Sequence, residues 1–158
     1  SFNSTVFDKF FKKNKMNNKN YLLKNINRYF DFKLKKESKN IEGSTQKDMF
    51  FELIMIRFDI LQEYRKAIIN IFNFFKIRPK EFFMLLPSFI ESMFLATHLS
   101  GISVKGIKGN VKIKGLLIVY FSSFLIWLKD ESVSLEKTMT SLDLYLNRAD
   151  KILKIFKK

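Results

Sequence analysis

Three observations predict an all-α protein. Apolar side chains recur at the helical period of 3.6 along much of the chain, whereas the alternation of strands is scarce. Helix punctuation stands at the ends of these stretches: Thr45 three residues before Asp48, Pro79 at the head of an apolar run, and Gly101 at its foot. Leu, Ile, Val and Phe number 18, 17, 5 and 19 of 158 residues, enough apolar side chain for a packed core.

Within residues 48–75 the polar residues Glu52, Asp59, Glu63, Lys66, Asn70 and Asn73 recur at steps of 7, 4, 3, 4 and 3. That is one solvent stripe, on a single helix or on two abutting helices, with Phe51, Ile54, Met55, Phe58, Leu61 and Ile68 on the other side. Thr45 and Asp48 resemble a capping box with Asp in place of Glu, so the helix is expected to start near Gln46, after a loop at Gly43 and Ser44. The next helix opens at Pro79, where a missing N–H costs nothing, and stops before Gly101. Pro87 inside it removes a backbone hydrogen bond and is expected to kink it.

Residues 102–119 (ISVKGIKGNVKIKGLLIV) are β-branched and Gly-punctuated, so a hairpin competes with a helix there. We read 102–108 as a loop and start the helix near Gly109 or Asn110. Val111–Leu128 is apolar on nearly every side and has to be covered on nearly every side. A second copy of the chain is the expected cover, which places Leu116, Tyr120 and Phe124 at a dimer interface. In the last helix Leu135, Met139, Leu142, Leu146, Ala149, Leu153 and Phe156 step by 4, 3, 4, 3, 4 and 3. This heptad-like seam adds Leu135, Met139, Leu142 and Leu146 to the expected interface. Asp130 and Ser132 are expected to cap this helix, and Lys151–Lys158 to form its frayed end, with lysines near the negative end of the dipole.

Composition points toward binding rather than catalysis. There is no Cys, hence no disulfide scaffold, thiolate nucleophile or zinc finger. One His, His98, offers neither a histidine metal site nor a Ser-His-Asp triad, and no cofactor or enzyme activity is called for. The apolar runs Phe82–Ala96 and Leu116–Leu128 fall short of the ~20 residues of a membrane span and are interrupted by Pro87, Glu91 and the Ser122–Ser123 pair. No transmembrane segment is expected, and with no apolar leader near the first residue the expected location is the cytoplasm. The net charge is +14 and unevenly spread: residues 1–40 hold 11 Lys and Arg against 3 acids. Such a basic arm suits nucleic acid or an anionic membrane, although a Lys-, Asn-, Ile- and Phe-rich chain is also what AT-biased coding supplies.

Trp127-Leu128, Asp130, Ser132, Leu135, Thr138-Met139, Leu142-Asp143 and Leu146 read W-L-x-D-x-S-x-x-L-x-x-T-M-x-x-L-D-x-x-L. This resembles the C-terminal domain of an α-proteobacterial branch of TetR-type regulators. It also resembles the ubiquinone-biosynthesis accessory proteins that share that fold and bind lipids. The stretch Phe51–Gln62 (FELIMIRFDILQ) is similar to the D-V-L-M-R-R-F-D-A-L-Q segment of the same branch, and the likeness covers residues 48–155. Thr5-Val6-Phe7-Asp8-Lys9-Phe10 looks like the recognition helix of a TetR-type DNA-binding module, and Lys19, Leu22 and Leu23 like the start of the helix that follows. The departures are the two absent preceding helices, about six extra residues that include Lys15–Asn18, and Phe7 in place of a phosphate-binding Tyr.

The resemblance implies a remnant helix-turn-helix over residues 1–20 and a helical ligand-binding and dimerisation domain over 21–158. It implies a homodimer whose last two long helices form a four-helix bundle with those of the partner. It further implies nucleic-acid contacts from Thr5, Phe7, Lys9, Lys13 and Lys19 to double-stranded DNA, and a pocket for a small hydrophobic effector or lipid lined by Met55, Phe58, Phe83, Phe94, Phe121 and Trp127. Two functions follow from it: a transcriptional regulator, complete or degenerate, or a lipid- or quinone-binding protein with the same fold that never touches DNA.

Overall fold

The computed structural model describes residues 19–43 and 45–156, and every regular element among them is helical. Six α-helices follow in order: α1 Lys19–Glu37, α2 Gln46–Glu63, α3 Arg65–Ile77, α4 Pro79–Leu99, α5 Gly106–Trp127 and α6 Glu136–Leu153, with a short 3₁₀ turn at Ser38–Asn40. Thr5, Phe7, Lys9 and Lys13, expected to contact nucleic acid, and the expected DNA-binding remnant up to Asn18 lie outside the described residues.

Helix α2 is the hub and touches each of the other five. Its start is fixed as the sequence implies: the Asp48 N–H donates to Thr45 Oγ1 at 3.1 Å, and that hydroxyl donates to Asp48 Oδ2 at 2.7 Å. The stripe from Glu52 to Asn73 is exposed throughout, while Phe50, Leu53, Ile54, Phe58 and Ile60 are buried. The stretch is two helices, broken where Tyr64 leaves helical geometry at φ −115°, ψ 22°. Arg65 then turns back across the break. Its guanidinium lies 4.7 Å from the Trp127 ring centroid and donates to the carbonyls of Trp127 and Leu128 at 3.1 Å each. A cation on the last carbonyls of α5 satisfies acceptors that no further turn can reach.

Helix α4 begins at Pro79, runs through Pro87, and ends in a Schellman motif. Gly101 takes φ +73°, its N–H donates to His98 O, and the Ile102 N–H donates to Thr97 O at 2.9 Å. The hairpin alternative for 102–119 does not occur. Helix α5 opens at Gly106, three residues earlier than Gly109, and turns so tightly against the preceding strand of backbone that a Cβ on Gly109 would lie 1.9 Å from Val104 O. Helices α4 and α5, at 21 and 22 residues, exceed the apolar runs read from sequence and are long and apolar enough by composition to cross a membrane. About one third of each apolar window is buried inside the structure, and core helices of soluble proteins meet the same criterion.

Helices α5 and α6 form the most extensive helix pair, and their connection is clasped by a single carboxylate. Asp130 is fully buried. Its Oδ2 accepts from the Thr138 N–H and Oγ1 at 2.8 Å each, and its Oδ1 accepts from the N–H and hydroxyl of Ser132. Ser132 Oγ in turn accepts from the Glu136 N–H at 3.1 Å, so both residues cap α6 as their types suggest. The clasp turns α6 so that Thr138 faces inward and Met139 is 40% exposed, which corrects the heptad seam at that position.

Most of the residues expected at a dimer interface lie inside the bundle. Leu116, Tyr120, Leu135, Leu142 and Leu146 are buried by this chain's own helices, and Phe124 is half-buried against them. The face of α5 left open carries Val111, Ile118 and Leu125, seven residues apart. The chain end is not frayed as far as it is described: the Phe156 N–H donates to Asp150 Oδ1 at 3.0 Å and Ile155 is buried.

Candidate ligand-binding site

Between α1, α2, α3, α4 and α5 lies a cavity of about 440 Å³. The space follows from how α3 is held. Of its thirteen residues only Ile68 is buried, and α3 stands as an outer wall whose inward stripe is Ile68, Ile71, Phe72 and Phe75. Opposite it are Leu23, Ile26 and Phe30 of α1, Leu61 of α2, Phe82, Phe83, Leu85 and Phe89 of α4, and Phe121, Phe124 and Leu125 of α5. The rings meet edge to face rather than interdigitating. Phe82 and Phe121 are 5.4 Å apart at 62°, Phe89 and Phe121 5.1 Å apart at 81°, Phe72 and Phe124 5.9 Å apart at 65°, and Phe75 and Phe82 5.6 Å apart at 69°. Flat rings in tilted contact are stable as pairs, yet they prop helices apart and leave volume between them.

One end of the cavity is polar, built around Arg57, which is 1% exposed. Its guanidinium pairs with Asp31, donates to Asn27 Oδ1 at 2.6 Å, and donates through Nε to Tyr120 Oη at 3.1 Å. Asn27 Nδ2 donates to Ser92 Oγ at 2.8 Å and to Ser88 Oγ at 3.0 Å, and Ser92 Oγ donates to Asp31 Oδ2 at 2.8 Å. The ring Arg57–Asp31–Ser92–Asn27 is closed, and it ties α1, α2 and α4 together, with α5 joined through Tyr120. Burial alone would lower the Arg57 pKa, but the Tyr120 hydroxyl and the Asp31 carboxylate outweigh it and the group is raised above its ordinary value. Charge is thus balanced within the protein: one cation faces one carboxylate, and neither calls for a charged ligand.

Of the six pocket residues read from sequence, Phe83 and Phe121 line the cavity. Phe58 and Trp127 are fully buried in the core, and Met55 is buried beside them on α2; none of the three is among the lining residues. Phe94 is 41% exposed on the outside of α4. These four lie away from this cavity, and the cause is geometric. Period identifies an apolar face, but it does not tell a face packed on solid core from one facing a void. Arg57 was also missed, although it carried a signal: it lies off the solvent stripe of α2, on the face of Phe58 and Leu61, where an Arg has to be paired. Lys19, read as a nucleic-acid contact, stands at the start of α1 with its ammonium 5.4 Å from the Phe74 ring centroid.

Comparison with protein-family models, with curated proteins and with solved structures finds no match for this chain. The TetR-type likeness rests on the residues quoted for it alone.

Proposed function

We propose that this chain binds a small, neutral, hydrophobic ligand in the cavity between α1 and α5, on a helical ligand-binding unit of the TetR type. The observation that carries the reading is the cavity itself: about 440 Å³, walled by aromatic and aliphatic side chains, with the buried Arg57 already paired to Asp31 and the other lining cation, Lys76, exposed to solvent. That volume lies within the range of small-molecule sites, and apolar cavities of roughly 150 Å³ already take benzene. The Arg57 ring favours an ester, ketone or other uncharged oxygen at the polar end over a free carboxylate, which would compete with Asp31.

Native mass spectrometry of the purified chain, followed by extraction of any adduct, tests the reading. An apolar adduct is expected, and titration should show a long-chain methyl ester binding at least about tenfold tighter than the matching fatty acid, the ratio that 1.4 kcal/mol sets. A chain with no adduct and no affinity for either probe sinks it. The same spectra report mass, and the Val111, Ile118 and Leu125 face of α5 is an exposed apolar surface open to a second copy, whereas the seam is buried.

A regulator reading is favoured by one observation, the excess of 11 Lys and Arg over 3 acids in residues 1–40. Helix α1 lies within that segment and supplies Leu23, Ile26, Asn27 and Phe30 to the cavity. A ligand there would shift the population of α1 settings and so reposition what precedes it. Sequence-selective duplex binding with a steep salt slope supports this reading, and weak binding indifferent to sequence leaves the lipid-binding protein.

A further inference from the structure

The corner where α3 meets α4 has a composition that the cavity does not require. Ile77 is 82% exposed, Phe83 64% and Met84 56%. Exposed Lys76, Arg78 and Lys80 alternate with exposed Ile77 and Pro79, and Glu81 is the only acid between Arg65 and Ile90. The cations lie over rings: Lys76 Nζ is 5.6 Å from the Phe72 centroid, Arg78 Cζ 5.4 Å from Phe74, and Lys19 Nζ, arriving from α1, 5.4 Å from the same Phe74. Asn20 of α1 also reaches Met84 Sδ at 3.4 Å, which joins the start of α1 to this patch. The surface is continuous with the cavity, because Lys76, Pro79, Phe82 and Phe83 belong to both.

We propose that the α3–α4 corner is a docking surface for an anionic lipid bilayer, with Ile77, Phe83 and Met84 entering the headgroup–acyl boundary and Lys19, Lys76, Arg78 and Lys80 meeting lipid phosphates. Charge and shape together select this occupant. A second copy of the chain would bring four cations against four. A nucleic acid would match the cations but leave three large apolar side chains in water. An anionic bilayer satisfies both sets at once, since apolar insertion and cationic contact add in interfacial binding. Docking there sets the cavity mouth against the membrane, so a neutral apolar ligand passes between bilayer and protein without crossing water. That purpose rests on the ligand-binding reading, whereas docking itself is measured without any ligand.

The test is flotation of the full chain with vesicles of phosphatidylcholine alone and with added phosphatidylglycerol. Binding is expected only with phosphatidylglycerol. The exposed double variant Ile77→Ser with Phe83→Ser, checked by circular dichroism and melting, should lose about tenfold or more in partition. The triple variant K76Q, R78Q and K80Q should lose on the order of 100-fold. Val111→Ser with Ile118→Ser, on the open face of α5, should leave partition unchanged. Equal binding to both vesicle types overturns the proposal, and so does loss only in the α5 variant. Concentration-dependent dimerisation abolished by Ile77→Ser with Phe83→Ser, without vesicle binding, would assign the patch to a second copy and also overturn it. A chain that keeps its apolar adduct but fails to float refutes docking alone. A chain that floats but holds no adduct refutes the ligand reading and leaves docking standing.

Discussion

The two sides of this bundle use similar residues to opposite ends. On one side α2, α5 and α6 close on each other through Phe50, Leu116, Leu135, Leu142 and Leu146, all essentially without solvent contact. One buried carboxylate, Asp130, sets the rotation of α6 there. On the other side α3 and α4 face α1 and α5 across a void bordered by eight phenylalanines. Leucine branches interdigitate, whereas phenylalanine rings meet at angles and stop. The same apolar content therefore gives solid core where Leu and Ile dominate and open volume where Phe does. The Arg57 ring stands between the two and keeps the helices that border the void from collapsing into it.

The largest expected effect comes from that ring. Arg57→Met leaves Asp31 without its cation and Asn27 without a donor, and should cost about 4 kcal/mol, within the range for breaking a buried pair by removing one partner. Urea unfolding followed by circular dichroism measures it. A loss under about 1 kcal/mol would mean that the ring does not hold the two sides together.

Next is the closed side. Leu142→Ala should cost about 3 kcal/mol, since Leu142 has no solvent contact and its neighbours cannot refill the space. Ile71→Ala on the wall of the cavity should cost about 1 kcal/mol, because that side chain already borders a void. Equal losses would remove the distinction between the two sides.

Asp130→Ala should cost about 2–3 kcal/mol by leaving the Thr138 N–H and hydroxyl unpaired in a dry interior. The carboxylate also sets a pH dependence. Burial pushes its pKa up, but hydrogen bonds from Ser132 and Thr138 outweigh burial and hold it down at about 2. Because the folded value lies below the ordinary carboxylate value near 3.9, the stabilisation is full above about pH 4 and fades as pH falls toward 2. Unfolding midpoints of the parent chain and Asp130→Ala should converge over that window. A constant gap would place the stabilisation elsewhere.

Local punctuation was legible on both sides. The Thr45 cap, Pro79 at a first helical position, the stop at Gly101 and the capping role of Asp130 and Ser132 are local, fixed by residues within a few positions of one another. The start of α5 was misplaced by three residues because Gly106 and Gly109 read as breakers, while the structure uses Gly109 for close approach to Val104. The cavity was least legible. Its lining comes from five helices, and Phe58 and Phe121 look alike in period although one is packed solid and the other faces a void. The polar end lay hidden in separate segments, with Asn27 and Asp31 far in sequence from Arg57 and from Ser92.

The smallest effect is the sharpest test of the contrast, because one chemical change should act oppositely at two places. Leu142→Phe adds bulk to a site with no room and should destabilise by about 1–3 kcal/mol. Ile71→Phe adds similar bulk beside about 440 Å³ of open space, so its ring can turn inward and bury area without displacing a neighbour. The expected shift is from zero to about 1 kcal/mol of stabilisation, from apolar area removed from water. The same variant should weaken binding of a long-chain methyl ester about tenfold by occupying the space the ligand needs. If Ile71→Phe destabilises as Leu142→Phe does, the α3 wall is as tightly packed as the closed side, and the cavity is no site for a ligand. If it stabilises and binding is unchanged, the ligand sits elsewhere on the chain.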